Sequence, residues 1–219
     1  MINACYIACF ELTSLLWDLN EDRSNPYLNA LKDTTPENVC EFLSKWNRGR
    51  GYKKDTLLKK IEGNHDKFKE VPSNQDLESY LKFANEVLKE VTSKSDEEYI
   101  GSVKLSHIYH PNIFPIIDNP ILEEFGLNKY DTGDFEGFIQ QYFRFKEAMD
   151  ESIKEFGLNS IKVRERGIYK LIDEVLYLFI TQEKRKIVEA ILTITGNRLF
   201  VPLINELVQK LNDNISRNS

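Results

Sequence analysis

Residues 100–126 read IGSVKLSHIYHPNIFPIIDNPILEEFG, and the punctuation of this stretch decides the class of fold. Proline at 111 lacks a backbone donor and disfavours the helical conformation in the residue before it. The run carrying Lys104 and His107 therefore ends at His110-Pro111. A short apolar segment, Ile113 to Ile117, follows. Asp118-Asn119-Pro120 then supplies a capping residue and an early proline, the pattern that opens a helix, and Gly126 is placed to close it. Two helices joined by a short apolar turn is the unit around which the rest of the chain is read.

The same grammar extends in both directions. Towards the N-terminus, residues 2–18 are apolar nearly all round and are expected inside the protein. Asn20 to Asn25 is polar and turn-like, and Pro26 can start a short helix to about Lys32. Thr34-Thr35-Pro36-Glu37 combines a hydroxyl cap, a first-turn proline and an acid. It opens a helix whose apolar face is Val39, Phe42, Leu43 and Trp46, ending near Arg48-Gly49. Asp55 is expected to cap a helix bearing Leu57, Leu58 and Ile61, with Gly63-Asn64 as its break point. Ser73 with Asp76 resembles a capping box ahead of Leu77, Leu81, Ala84, Val87, Leu88 and Val91 at helical spacing. Asp96 is positioned to cap the helix that leads into the central stretch.

Towards the C-terminus, Asp134 caps a long helix to Phe156, with Gly157 as its terminator. A helix over roughly 164–180 carries Ile168, Leu171, Ile172, Val175, Leu176 and Phe179 on one face. Two more fit near 184–194 and 199–212, and the polar tail from Asn212 is expected to fray. No alternation long enough for a convincing strand occurs, although short strands can hide near the N-terminus or at 113–117. There is no internal repeat and no low-complexity block. The expected fold is all-α, a multi-helix globule of about nine or ten helices. It is one domain over 1–219, with room for two lobes of about 1–92 and 93–219.

Bulk composition narrows the function classes. The 219 residues are 41% hydrophobic and include 13 Phe and 10 Tyr, enough for a substantial core and against disorder. The net charge of −6 excludes a general nucleic-acid coat protein, so any DNA contact must come from a local patch on an acidic body. The first residues, MINACYIACFELTSLLWDL, look superficially like a signal peptide. They lack a basic leading segment, Glu11 interrupts them, and they are too short and polar to span a bilayer. Cys5, Cys9 and Cys40 make an odd count. Cys5 and Cys9 read as small core residues and imply a reducing, cytoplasmic setting.

VKLSHIYHPNIFPIID resembles a pattern found in proteins related to 8-oxoguanine DNA glycosylases. There a helix of the Ser-Lys-Leu-Leu-His type leads through Asn-Pro-x-x-Phe-Pro-Ile to an Asp. The matching residues are Lys104, Leu105, His107, Pro111, Phe114, Pro115, Ile116 and Asp118, with Val103 where the pattern often has Ser. The wider group is the helix-hairpin-helix DNA glycosylase superfamily. The resemblance implies Lys104 as a catalytic nucleophile and Asp118 as the assisting carboxylate, in an intracellular DNA-repair protein that recognises a base and cleaves by a Lys Schiff base. Relatives often carry Arg-x-x-Asp-x-x-Leu-Trp/Tyr on a later helix. The nearest equivalents here are Tyr169, Asp173, Leu176 and Tyr177, with Lys170 in the basic position.

The chemistry of that pair is physically coherent. An amine must lose its proton before attacking a sugar carbon, and burial or a neighbouring cation favours that loss. A carboxylate beside a helix start can steady the positive charge that develops as the base departs. An extruded base also needs aromatic walls, for which Tyr99, Tyr109, Phe114 and Tyr177, with His107, are the candidates. Simpler roles compete at each position: Lys104 as a surface lysine with its stem on the core, and Asp118 as a helix cap. His107 and His110 lack an evident third ligand, so neither a metal nor any other cofactor is expected.

RGRGYKK, residues 48–54, is the candidate DNA-binding segment. Arg48 and Arg50 can fork onto phosphate oxygens, Lys53 and Lys54 add charge, and Tyr52 or the preceding Trp46 can stack on a base. Its simpler role is a solvated loop at a helix C-terminus. Lys184-Arg185-Lys186 reads as helix-surface charge. The superfamily hairpin usually reads Leu-Pro-Gly-x-Gly, whereas this chain has Glu97-Glu98-Tyr99-Ile100-Gly101. That departure favours the alternative, a non-catalytic helical module binding nucleic acid or a protein partner.

Overall fold

A computed structural model describes residues 2–18, 21–46, 54–70, 76–88, 99–127, 135–181 and 200–217. Among these residues there are ten α-helices and one π-helical turn, and the only strand-like pairing is an isolated bridge between Val163 and Arg166. The all-α expectation holds. The chain divides into two compact units, each assembled from separated stretches. One contains Met1–Trp17, Asp118–Asn128 and Gln141–Ser219; the other contains Asp18–Ile117 and Lys129–Gln140.

In the second unit, α2 (Glu21–Lys32), α3 (Pro36–Trp46), α4 (Lys54–Lys69) and α6 (Tyr99–Tyr109) pack on one another. The short α5 (Leu77–Phe83) runs into the π-turn Ala84–Leu88 beside α4 and α6. Helix α2 starts at Glu21, earlier than expected, and carries Pro26 inside it. There it removes the bond its own N–H would have made and its ring crowds the carbonyl four residues back. At α3 the sequence grammar is realised: Thr35 Oγ1 accepts from the Asn38 N–H at 3.3 Å, and Val39, Cys40, Phe42, Leu43 and Trp46 are buried.

Two expected signals act differently. Asp55 lies inside the first turn of α4, which begins at Lys54, and Gly63-Asn64 does not break that helix. Asn64 Nδ2 donates to the Lys60 carbonyl at 3.0 Å within the continuing turn. Gly63 faces open space, and a methyl there would meet nothing within 4 Å. Gly63→Ala should therefore stabilise the protein by up to about 1 kcal/mol, the helix-interior penalty of glycine, read as a higher urea midpoint at unchanged slope. Asp76, expected as the partner in a capping box, is itself the N-cap of α5. Its φ and ψ are −91° and 165°, and its carboxylate accepts from Ser79 N–H at 2.8 Å.

The first unit holds α1 (Ile2–Asp18), α7 (Asn119–Glu124), α9 (Ile168–Ile180) and α10 (Phe200–Arg217), with the part of α8 (Phe135–Glu155) that follows Gln140. Helix α7 packs on α9. Helix α1 is not enclosed all round: Tyr6, Cys9, Phe10 and Trp17 are buried, while Ile7 and Leu15 are 42% and 45% exposed. Helices α7 and α8 end as their glycines dictate. Gly126 and Gly157 adopt φ of +66° and +64°, and Leu127 and Leu158 reach back to the carbonyls of Leu122 and Ile153 at 2.8 and 2.9 Å.

The helix expected from about residue 164 begins at Ile168. Before it, Val163 and Arg166 pair across a reversal whose central residues, Arg164 and Glu165, have φ of 49° and 66°. That hand suits a two-residue reversal, but glycine or asparagine usually occupies it, so the sequence carries no turn signal here. Helix α10 extends to Arg217. The tail expected to fray is partly core, with Asn214 and Ile215 buried and Asn214 Nδ2 donating to Ser152 Oγ at 3.1 Å. The helix expected at 184–194, the Asp96 and Asp134 caps and Ser73 lie outside the described residues.

Candidate functional site

Helix α6 is buried from Ile100 through Ile108, polar residues included, so it presents Ser102, Lys104, Ser106 and His107 to protein rather than to water. Lys104 is not a surface lysine. It is 1% exposed, and its Nζ lies 5.2 Å from the centroid of the Trp46 ring, where the π face attracts a cation.

The same wall continues through Tyr27, whose ring is 5.9 Å from Trp46 and stacks on His107 at 5.8 Å and 17°. His107 is fixed at both nitrogens. Nδ1 donates to the Phe114 carbonyl at 2.7 Å, which leaves Nε2 of the neutral ring to accept from Tyr27 Oη at 2.9 Å. The sequence HxxxxxxF thus ties the helix to the turn that follows Pro111.

Tyr109 and His110 turn towards α4. Tyr109 Oη and His65 Nδ1 are 2.7 Å apart, and burial raises the Tyr109 phenol above its ordinary value. His110 Nε2 donates to the Phe68 carbonyl at 2.7 Å. Burial lowers its pKa and that hydrogen bond partly offsets the effect. Both histidines of the central stretch are therefore held by protein groups. Among the described residues no group of three or more His, Cys, Asp or Glu is placed to hold a metal. Phe114 is a core residue, its ring 4.8 Å from Tyr80.

Asp118 belongs to the other unit. It occupies the N-cap of α7 with φ −122° and ψ 159°, but its side chain makes no cap hydrogen bond. The expected carboxylate cap is replaced by the backbone: the Asp118 carbonyl accepts from Ile121 and Leu122 N–H at 3.0 and 3.1 Å. The half-buried carboxylate instead acts on α9, where its charge is one of the influences raising Asp173.

Around Asp173 lies a cluster that sequence reading found only in part. Lys170 and Glu174 are fully buried, Arg166 is fully buried, and Asp173 is 3% exposed. Lys170 Nζ is 2.5 Å from Asp173 Oδ2 and 3.7 Å from Glu174 Oε1, and it sits 4.4 Å from the Trp17 ring centroid. Arg166 Nε donates to Glu174 Oε1 at 2.8 Å, and Ser14 Oγ donates to Glu174 Oε2 at 2.8 Å. Burial pushes the Asp173 carboxyl up to about 6, against the pull of Lys170, with Asp118 and Glu174 adding to the rise. Tyr177, an expected pocket wall, stands edge-on to Trp17 at 5.5 Å in this unit.

Arg166, Glu174, Ser14 and Trp17 were not candidates from sequence. The available signal was spacing: Lys170, Asp173 and Glu174 recur at helical intervals, and Arg166 just before the helix brings the four charges to zero. A charged helical face ordinarily reads as solvated.

The basic segment is described only at its end. Arg48, Arg50, Tyr52 and Lys53 lie outside the described residues, as do the side chain of Tyr99 and the Lys184-Arg185-Lys186 cluster. Lys54 is exposed at the start of α4, and its carbonyl accepts from the buried Cys40 thiol at 3.6 Å. No helix among the described residues is long and apolar enough to cross a membrane. Comparison with known proteins finds no matching family model, no matching curated protein and no matching solved structure.

Proposed function

We propose that the protein recognises a DNA base drawn out of the stack and excises it through the Lys104 amine. The observation that carries this is the burial of Lys104 against Trp46. A lysine kept as surface charge has no reason to be enclosed, because desolvating an ammonium is costly. The nucleophilic form in this reaction is the neutral amine.

In the proposed reaction the Lys104 nitrogen bonds to C1′ of the sugar and releases its proton. The glycosidic bond breaks with its electron pair leaving on the base. The base takes up the released proton, and the sugar ring then opens to an imine on the Lys104 nitrogen.

A second reading, a non-catalytic module of the same architecture, is favoured by Lys170. That lysine is equally buried and is engaged by Asp173 and Glu174, so this chain uses a buried lysine structurally. Borohydride trapping separates the two. Wild-type protein with duplex DNA carrying an abasic site should give a borohydride-dependent covalent complex. Lys104→Arg, which keeps the charge but cannot form the imine, should give none. Absence of the complex in the wild type, or its persistence in a folded Lys104→Arg protein, selects the non-catalytic module.

A further inference from the structure

We propose that the outward face of α1 is a self-association surface, on which a second copy of this chain lays the same face of its own α1 antiparallel across a two-fold axis. The contact stands apart from the chemistry of Lys104, which lies in the other unit.

The face is apolar where a surface helix is ordinarily polar. Tyr6, Cys9, Phe10 and Trp17 anchor the inner side of α1. On the opposite side Ile7 and Leu15 are 42% and 45% exposed, Ala8 is exposed, and Leu12 and Leu16 are half-buried. Among the described residues the one other exposed large apolar side chain is Leu77, so exposed apolar surface is concentrated on this helix. Such side chains are ordinary when scattered and informative when contiguous.

The pattern is self-complementary. About a point between Glu11 and Leu12, Ile7 mirrors Leu16 and Ala8 mirrors Leu15. Two helices running antiparallel across that point set the small Ala8 of each against the large Leu15 of the other, with both Leu12 side chains beside the axis. Alternation of small and large residues is what lets facing helices interdigitate. In a two-fold contact every such match occurs twice.

Charge favours a second copy as the occupant. The chain carries a net charge of −6, so copies repel unless they meet where charge cancels. Glu11 is the one charged residue from 7 to 16 and lies next to the axis. It is already paired: Arg164 Nε is 3.4 Å from Glu11 Oε2, and the two side chains are 42% and 53% exposed. Arg164, at φ 49°, belongs to the reversal closed by the Val163–Arg166 bridge, which fixes its place beside α1. Two antiparallel copies bring two carboxylates and two guanidiniums together with no net charge, and each Arg164 can serve the partner's Glu11 as well as its own. A lipid surface fits less well, because residues 2–18 contain no lysine or arginine to meet anionic headgroups.

Area limits the strength. Ten residues of helix span about 15 Å, and a contact of that length falls short of the roughly 1,000 Å² that marks a stable interface. The dimer is therefore weak and concentration-dependent.

The test is sedimentation of the full chain from about 10 µM to 1 mM, the range in which mass action populates a weak dimer, with reductant present so that no cysteine contributes. The wild-type average mass should climb from one chain towards two. Leu15→Lys, at an exposed position and acting twice, should weaken association by about 30-fold or more while leaving the urea midpoint unchanged. Glu11→Arg, which sets like charges around the axis, should also weaken it, and Glu11→Arg combined with Arg164→Glu should restore it. A wild type that stays monomeric throughout, whether or not it binds phospholipid vesicles, overturns the proposal. So does a dimer that Leu15→Lys leaves at full strength, or one that the charge exchange fails to restore in a folded protein.

Discussion

Replacing Arg166 with alanine should cost about 3–5 kcal/mol of unfolding free energy, the penalty for stranding one member of a buried ion pair. The guanidinium is fully buried. Its Nε is 2.8 Å from Glu174 Oε1, and its Nη1 donates to the Arg164 carbonyl at 3.2 Å. Without it, Glu174 keeps Ser14 at 2.8 Å and the more distant Lys170 at 3.7 Å, and water cannot take the missing place without opening the site. The carboxylate must then stay charged and poorly solvated or take up a proton, and either outcome lowers stability at neutral pH.

Arg166→Met combined with Glu174→Leu should be far milder than either single change, because the pair leaves together and the volume is kept. Urea unfolding of the four proteins at pH 7 gives the cycle. A loss below about 1 kcal/mol in Arg166→Ala is what an exposed pair would show, and it would contradict the enclosed cluster described here.

Deleting residues 212–219 should cost roughly 3 kcal/mol, from burial of one isoleucine and loss of one buried hydrogen bond. Ile215 continues the stripe of Ile204, Leu207 and Leu211 along α10 and is 7% exposed. Asn214 joins α10 to α8 through Ser152 at 3.1 Å. The combination Ile215→Ala with Asn214→Ala should reproduce most of the loss, whereas Arg217→Ala, at an exposed position, should change little. Equal stability of the truncated and full chains would mean that the last turns of α10 are not part of the core.

How much of this was legible in the sequence depends on whether a residue acts locally. Thr35, Pro36, Pro111, Gly126 and Gly157 act through their own backbone or the next turn, and each ends or begins a helix where the sequence places it. Residues whose role depends on a distant partner were misread. Asp76 and Asp118 are both acids before a helix, yet only Asp76 caps with its side chain. Nothing local distinguishes them; the difference is that Asp118 lies against the charged face of α9.

Helix α9 made the same point at larger scale. Its apolar residues mark one buried face in the sequence, but Lys170, Asp173 and Glu174 are buried as well. The polar run Asn212-Asp213-Asn214 looked like a terminus because Asn214 has its partner on α8, far back in the chain. For the candidate site, sequence supplied Lys104, His107 and Asp118 but not their surroundings. The Trp46 wall, the Tyr27 clamp on His107 and the Arg166–Glu174 pair arise from contacts between elements.

The account stands on Lys104 as a working amine. The most direct measurement is to reduce the complex of the wild-type protein and an abasic-site oligonucleotide with borohydride, digest it, and locate the modified lysine by mass spectrometry. The account predicts a sugar-bearing adduct on the peptide containing Lys104. An adduct found instead at exposed lysines such as Lys54, with the Lys104 peptide unmodified, would contradict it.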